Sequence, residues 1–273
     1  MILVTGAYGF IGSNFVKYLN TQGITDIVVV DYLTNGHQFK NLNNCKFKLY
    51  ATPEMAIEMC STGSITQVFH FGAVSATTCW DGELVMSRNY KYTVDLINAC
   101  VANNIPISYS SSASVYGNGD GPLNLYAYSK LMVDKFVTAL GSNLVQGFRY
   151  FNVYSLDDSE WHKGDQASPY YKFKQQALVT GEIQIFKRSE NYYRDFVTVN
   201  RVCEVQWAMR KQPAGIYDLG SGSQKNFAQV AAEVKAAHGG KIKEIPFPKS
   251  LRDHYQVNTL ADMSYLTDSP ISI

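Results

Sequence analysis

Tyr126 and Lys130 stand at i and i+4 in Tyr126-Ala-Tyr-Ser-Lys130, and residues so spaced share one face of a helix. A phenol with an ordinary pKa of about 10 is a poor base at neutral pH. A lysine charge within about 4–6 Å favours the phenolate and lowers that pKa. The pair therefore reads as an acid/base that moves a hydroxyl proton while a nicotinamide takes the hydride. Far upstream, Gly6-Ala-Tyr-Gly9-Phe-Ile-Gly12 follows an apolar run. Glycines between a strand and a helix serve a tight turn, close approach of backbone to pyrophosphate, and helix–sheet packing. The helix N-terminus then offers N–H groups to the phosphates. Asp31 ends the second apolar run, where a carboxylate accepts hydrogen bonds from the adenosine ribose. Ser112, just past another apolar run in Ser110-Ser-Ser-Ala-Ser-Val-Tyr-Gly117, is placed to hold a substrate oxygen.

Such residues need a parallel sheet with crossover helices to bring them together, and the first half of the chain alternates accordingly. Strands are expected at residues 2–5, 26–31, 66–71, 106–111 and 144–148. Helices are expected over 10–22, 53–61, 83–103 and 126–140. Beyond residue 149 the rhythm loosens. A polar, irregular stretch over 155–166 precedes a helix near 170–180, and helices over 200–211 and 227–238 flank a strand at Gly215–Leu219. The fold class expected is α/β: a Rossmann-like, doubly wound parallel sheet with a smaller C-terminal α/β substrate-binding region. Residues 1–150 form the dinucleotide-binding part. Residues 151–273 are mainly substrate-binding, partly interleaved with the first part and shortened at the C-terminus.

With 273 residues, 46% of them hydrophobic, the chain can bury a full core. Its 24 Lys+Arg balance 23 Asp+Glu with no block of like charge, which argues against nucleic acid or an anionic membrane as partner. The five cysteines are scattered, without CxxC or metal-ligand spacing, and read as reduced thiols with no metal site. No secretory leader and no apolar run of about 18 residues is apparent. A cytoplasmic protein is expected, with a small molecule as partner and self-association left open. The 19 tyrosines suit a site that handles many hydroxyl groups, although most serve packing.

The glycine turn, in its G-x-x-G-x-x-G form, together with Ser112 and Tyr126–Lys130, resembles the extended short-chain dehydrogenase/reductase family that acts on nucleotide sugars. Thr77-Thr-Cys-Trp-Asp-Gly82, Gly147-Phe-Arg-Tyr-Phe-Asn-Val-Tyr154, His162-Lys-Gly164, Arg194-Asp-Phe-Val197, Pro246-Phe-Pro and Tyr255-Gln256 are similar to the ADP-L-glycero-D-manno-heptose 6-epimerases within it. Trp80-Asp-Gly and His162-Lys-Gly discriminate this branch from relatives acting at C4. The similarity runs, with gaps, from Met1 to about Pro270.

The resemblance implies oxidation of a sugar C6″ alcohol with bound NADP and return of the hydride to the opposite face of the ketone. That places two acid/base residues, Tyr126 and Lys163, with Ser112 beside them and Lys130 holding the nicotinamide ribose. It implies cofactor contacts at Phe10, Ile11, Tyr32, Asn89, Val153 and Lys163, and along Gly72, Ala73, Val74, Ser75 and Ala76. Substrate contacts fall at Asn152, Phe186, Ser189, Arg194 and Tyr255, and at Asp165 and Lys172, where the family commonly has serine and histidine. The implied biology is supply of a lipopolysaccharide heptose precursor.

Several positions depart from the family pattern. Gln38 stands where a lysine usually meets the 2′-phosphate of NADP, with His37 and Lys40 as substitutes. Asp31 without a compensating cation would favour NAD. Lys187 replaces an acidic residue, the loop 118–123 is short, and the chain stops at Ile273 where relatives continue into a closing helix. A sibling 4-epimerase or reductase is the alternative. A dehydratase is disfavoured because Ser112-Ala-Ser114 stands where those enzymes carry Thr-Asp-Glu. A non-catalytic nucleotide-binding protein is the third reading.

Overall fold

A computed structural model describes residues 1–248 and 255–267 of the chain. The expected end of the family similarity near residue 270 and the expectation of a shortened C-terminus fall on residues outside those described. Short β-branched runs without a polar face can be satisfied only by burial on both sides. Ile27–Val30 is the purest such run, and seven segments, with exposed β3 at one edge and half-buried β10 at the other, form one sheet: β1 (Ile2–Thr5), β2 (Ile27–Val30), β3 (Leu49–Ala51), β4 (Gln67–His70), β5 (Ile107–Ser112), β6 (Val145–Tyr150) and, from late in the chain, β10 (Gly215–Leu219). Their order is β10-β6-β5-β4-β1-β2-β3, and every pairing is parallel.

Helices cover both faces. Leu3, Val28 and Val30 point to one side, where they meet α2 (Pro53–Cys60), α4 (Tyr92–Ala102) and α5 (Leu125–Leu140). Val4, Ile27 and Val29 point to the other and pack on α1 (Phe10–Thr21) and α7 (Val199–Met209). The direction of winding reverses between β1 and β4, and ligands of open α/β sheets bind at the carboxyl ends of the strands at such a switch point. The expected α/β, Rossmann-like architecture is the one found.

The helix expected over 83–103 is three pieces. A short α3 (Gly82–Val85) runs into a π-helical turn, Met86–Lys91, before α4 begins. In the second half, β7 (Asn152–Tyr154) and β11 (Gln224–Asn226) flank β9 (Tyr193–Thr198), and β12 (Lys241–Ile245) pairs with β8 (Glu182–Phe186). These five strands were not foreseen. Helices α6 (Pro169–Thr180) and α8 (Phe227–His238) pack against them around Phe173, Ile183 and Val230, and α9 (Ser264–Thr267) follows. Cys60, Cys100 and Cys203 are buried thiols, with the first two Sγ atoms 3.8 Å apart. Among the described residues no helix is long and apolar enough to cross a membrane.

A fully buried carboxylate ties this second region to the sheet. Asp195 on β9 accepts from Ser221 N and Oγ (both 2.7 Å), Gly222 N (2.9 Å) and Ala261 N (3.2 Å). It makes no ion pair with neighbouring Arg194, which turns the other way. Removing the acceptor would leave several buried donors unpaired, each worth about 1–3 kcal/mol. Asp195→Ala should therefore lower the unfolding free energy by about 3 kcal/mol or more, read from urea denaturation. A loss below about 1 kcal/mol would contradict this anchoring role.

Candidate active site

At the carboxyl end of β1 the chain makes a turn that side chains would block. Gly6 has φ +63°, and a Cβ on it would lie 2.6 Å from Gly72 N. A Cβ on Gly12 would lie 2.1 Å from Gly6 O. The third glycine thus lets the first turn of α1 lie against the backbone that follows β1. Gly9 caps α1 without a side-chain hydrogen bond, so the first N–H groups of the helix remain available to an anion.

These residues border a cavity of about 440 Å³. Gly6, Gly9, Phe10, Ile11, Gly12, Asp31, Tyr32 and the strap Gly72, Ala73, Val74, Ser75 and Ala76 all line it, as do Tyr126, Lys130 and Lys163. Ser111 lines it too, only 1% exposed, and its Oγ has no hydrogen-bond partner among the described residues. A buried hydroxyl of that kind points to a polar ligand. Close-approach glycines, an uncapped helix start, a carboxylate and an orphan hydroxyl together fit a dinucleotide.

Two expected lining residues sit behind the wall instead. Asn89 is fully buried; its Oδ1 accepts from Val74 N (2.7 Å) and its Nδ2 donates to Val74 O (3.0 Å) and Ser129 Oγ (3.0 Å). It therefore fixes the strap from the rear. Val153 packs among the apolar clusters beneath the sheet and does not line the cavity.

A histidine that the sequence did not single out braces the same strap. Thr93 donates to Asn89 O (2.7 Å), so it accepts from His70 Nε2 (2.8 Å), leaving Nδ1 to accept from Thr5 Oγ1. Gly72 N donates to that same Thr5 oxygen at 3.2 Å. Burial, with Lys130 adding to it, pushes His70 down to about 3, so the relay stays neutral.

Tyr126 and Lys130 share a face of α5, with Lys130 Nζ 5.9 Å from the Tyr126 ring centroid. The expectation that Lys130 lowers the Tyr126 pKa is not what the structure shows. Burial raises the phenol, and a side-chain hydrogen bond with Ser112 opposes it. Lys130, 2% exposed, donates to Ser110 O at 2.7 Å and is itself pushed down by burial to about 8, with Asp134 opposing. Ser112, the last residue of β5, accepts from Ser114 N (3.2 Å) and Ser114 Oγ (2.8 Å).

Lys163 arrives from the polar stretch read as irregular. Its Nζ lies 3.4 Å from Glu160 Oε2 and 4.7 Å from the Phe10 ring centroid. Burial lowers its pKa, and Glu160 opposes. Glu160, fully buried, also accepts from Ser155 N (3.1 Å), Ser168 N (2.7 Å) and Ser168 Oγ (2.6 Å). Asn41 secures the other side of the loop, accepting from Trp161 Nε1 (2.8 Å) and donating to Tyr8 O (2.7 Å). Neither Glu160 nor Asn41 was picked out beforehand. Within its stretch the only cue was Glu160 three residues before Lys163.

A second cavity, about 620 Å³, begins where the first ends. Lys163 and Gln166 border the first; Gly164 and Asp165, on the same short turn, border the second. Lys172, Phe186, Ser189 and Tyr255 line the second as expected, joined by Tyr192 and Phe227. Asn152 and Arg194 do not line it. The Arg194 guanidinium, 6% exposed, lies 5.0 Å from the Tyr255 ring centroid and 5.5 Å from that of Phe227 and donates to the carbonyls of Tyr193 and Gln256. It shapes the aromatic wall from behind. The short loop reaches this wall through Asn118, which donates to Tyr255 O (3.3 Å) and accepts from Val257 N (2.9 Å). Among the described residues no His/Cys/Asp/Glu group could hold a metal ion.

The sequence profile of the NAD dependent epimerase/dehydratase family matches residues 2–220. The structure of ADP-L-glycero-D-manno-heptose-6-epimerase from Helicobacter pylori is similar at 30% identity, covering 90% of this chain and 84% of that one, with a TM-score of 0.82. UDP-glucose 4-epimerase from Thermotoga maritima, solved with UDP-glucose, is 22% identical over 98% of this chain and 91% of that one, TM-score 0.81. The Thermus thermophilus UDP-glucose 4-epimerase complex with NAD is 23% identical over 98% and 92%, TM-score 0.78. At those lower identities the likeness is one of fold.

Lys130 makes stability depend on pH in a definite sense. Its pKa falls from 10.5 unfolded to about 8 folded, so between those values the unfolded chain binds the extra proton and stability rises with pH. The penalty is complete below about pH 8 and relieved toward 10.5, in all about 3 kcal/mol. Relative to wild type, Lys130→Met should be at its most favourable at pH 7 and lose ground by pH 10 in paired urea titrations. Parallel pH profiles of the two proteins would refute the buried charge.

Proposed function

This chain belongs to the NAD dependent epimerase/dehydratase family, and we propose that it inverts C6″ of an ADP-heptose, converting ADP-D-glycero-D-manno-heptose to the L-glycero epimer. One observation carries the reading: Tyr126 and Lys163, on separate elements, line one cavity together with the glycine turn. A binding protein has no need of two ionisable groups at that place. The 30% identity to the Helicobacter pylori heptose epimerase and the His162-Lys-Gly motif support the substrate class. The dinucleotide proposed is NADP, with NAD the alternative.

When bound, the nicotinamide supplies a reversible acceptor for the hydrogen on the sugar carbon. The residues of the chain do the rest. Ser112 holds the substrate hydroxyl against Tyr126, which as its phenolate takes the proton while the alcohol becomes a ketone; the hydrogen bond from Ser112, which opposes the effect of burial, favours that form. Inversion requires the ketone to offer its other face, so its oxygen moves to a second place. One fixed phenol cannot serve both. Lys163 donates its own proton there, its burial-lowered pKa making it a readier donor, and the pair is reset when Tyr126 loses its proton to solvent and Lys163 regains one. Lys130 orients the ribose beside Tyr126.

In this reading residues 1–150 bind the dinucleotide and most of those beyond bind the sugar nucleotide. The ADP moiety occupies the second cavity, where Phe186, Tyr192 and Tyr255 offer aromatic faces and Lys172 is the cation among the lining residues. The turn Gly164–Gln166, which borders both cavities, then lies beside the sugar.

Proton NMR of the protein with ADP-D-glycero-D-manno-heptose and NADP, with UDP-glucose in a parallel arm, tests the reaction. The L-glycero epimer should appear without accumulation of reduced nicotinamide, and UDP-glucose should stay unchanged. Inversion at C4 of the UDP-sugar alone would replace the heptose reading with the 4-epimerase one. Tyr126→Phe and Lys163→Met should each lower kcat by about 10²–10⁴-fold. Full turnover in Lys163→Met would refute the two-base mechanism while leaving family membership intact.

A further inference from the structure

The adenosine end of the first cavity holds a cation that the glycine-turn argument does not use. Arg88 lies in the π-helical turn Met86–Lys91 and lines the cavity beside Asp31, Tyr32 and Gln38. Its guanidinium sits 4.5 Å from the Tyr32 ring centroid. It donates no hydrogen bond and forms no ion pair among the described residues; its charge acts at longer range on Asp31, Tyr32 and Glu54, which leaves its N–H donors for a ligand of the cavity it lines. The two side chains named as substitutes for the missing lysine are elsewhere. Lys40 Nζ lies 5.9 Å from the Trp161 ring centroid, and neither His37 nor Lys40 borders the cavity.

Asp31 is less of an obstacle to a phosphate here than its position suggests. Its Oδ2 accepts from Tyr8 N (3.1 Å), and its Oδ1 from Tyr32 N (2.8 Å) and Leu33 N (3.4 Å). A carboxylate has about four acceptor sites, so three are filled by backbone and one is left for a single ribose hydroxyl. The other nearby carboxylate, Glu54, accepts from Tyr32 OH at 2.8 Å. An arginine near the carboxylate at the end of the second strand is what accommodates a 2′-phosphate in dinucleotide folds, because its planar fork can donate two parallel charge-assisted bonds to phosphate oxygens.

We propose that Arg88, carried into the cavity by the π-helical turn, is the 2′-phosphate partner of NADP in this chain and takes the place of the absent lysine at Gln38. The inference rests on the dinucleotide reading of the cavity and deepens it. The turn accounts for both neighbours at once. An inserted residue in a helix re-aims side chains, and such turns recur at functional sites. Here Asn89 fixes the strap and Arg88 meets the ribose.

Isothermal titration of the protein with NADP and with NAD, without sugar substrate, separates the outcomes. Wild type should bind NADP at least as tightly as NAD. Arg88→Gln should weaken NADP about tenfold or more and NAD less than about threefold, the scale of a lost charge-assisted contact. Retained NAD binding reports that the variant is folded. Wild type that binds NAD but not NADP, or a variant that loses both alike, would overturn the role of Arg88. Wild type that binds neither would sink the dinucleotide reading itself and this inference with it.

Discussion

Backbone meets backbone at the carboxyl ends of β1 and β4. A Cβ on Gly6 would reach Gly72 N at 2.6 Å and one on Gly12 would reach Gly6 O at 2.1 Å. No side chain fits between the turn and the strap, so a ligand there meets N–H groups directly. That closeness also explains the buried polar relay behind it. Thr5, His70 and Thr93 connect Gly72 to the helix that carries Asn89, and Asn89 returns to Val74. A neutral histidine suits this task, since a charged one would demand compensation that the buried site does not offer.

The two lysines that line the cavity are held in two different ways. Lys130 lies on a long regular helix, α5, and its ammonium is fixed by one carbonyl, Ser110 O. Lys163 lies on a loop with almost no regular structure, and its position depends on side chains. Glu160 gathers Ser155 and Ser168 from either end of the loop, while Asn41 joins Trp161 to the backbone of Tyr8 in the glycine turn. A loop tied at three points to the scaffold acts as a rigid element.

Six strands of the first sheet were legible, the interior ones because they are buried on both faces, whereas exposed β3 at its edge was not expected. Ile27-Val-Val-Val30 has no reading other than an interior strand. β12, Lys241-Ile-Lys-Glu-Ile245, is largely exposed and charged, and such a segment shows its pairing with β8 only in three dimensions. The π-helical turn left no mark either, because residues 83–103 keep helical composition throughout. Glu160 read as one more polar residue in an irregular stretch, since nothing local reports that Ser155 and Ser168 converge on it. Arg194, expected at the substrate, lies behind the second cavity. Its residue type fits a pyrophosphate, yet the carbonyls of Tyr193 and Gln256 claim it. That competition is non-local on the Gln256 side, which is why spacing could not reveal it.

Buried charge is what the two lysine environments have in common, and they resolve it differently. Lys130 has no carboxylate in direct contact, and burial draws its pKa down to about 8, so the fold carries the penalty. Lys163 is compensated by Glu160, itself satisfied by three further donors. Removing one member of such a set leaves the others unpaired, which is costlier than never having buried them. An apolar side chain at Lys130 would relieve the fold but remove an ammonium that lines the cavity. The cavity is thus a place where stability is given up for chemistry, and the well-bonded anchors around it, Asp195 and Glu160 among them, are what allow the rest of the chain to tolerate the loss.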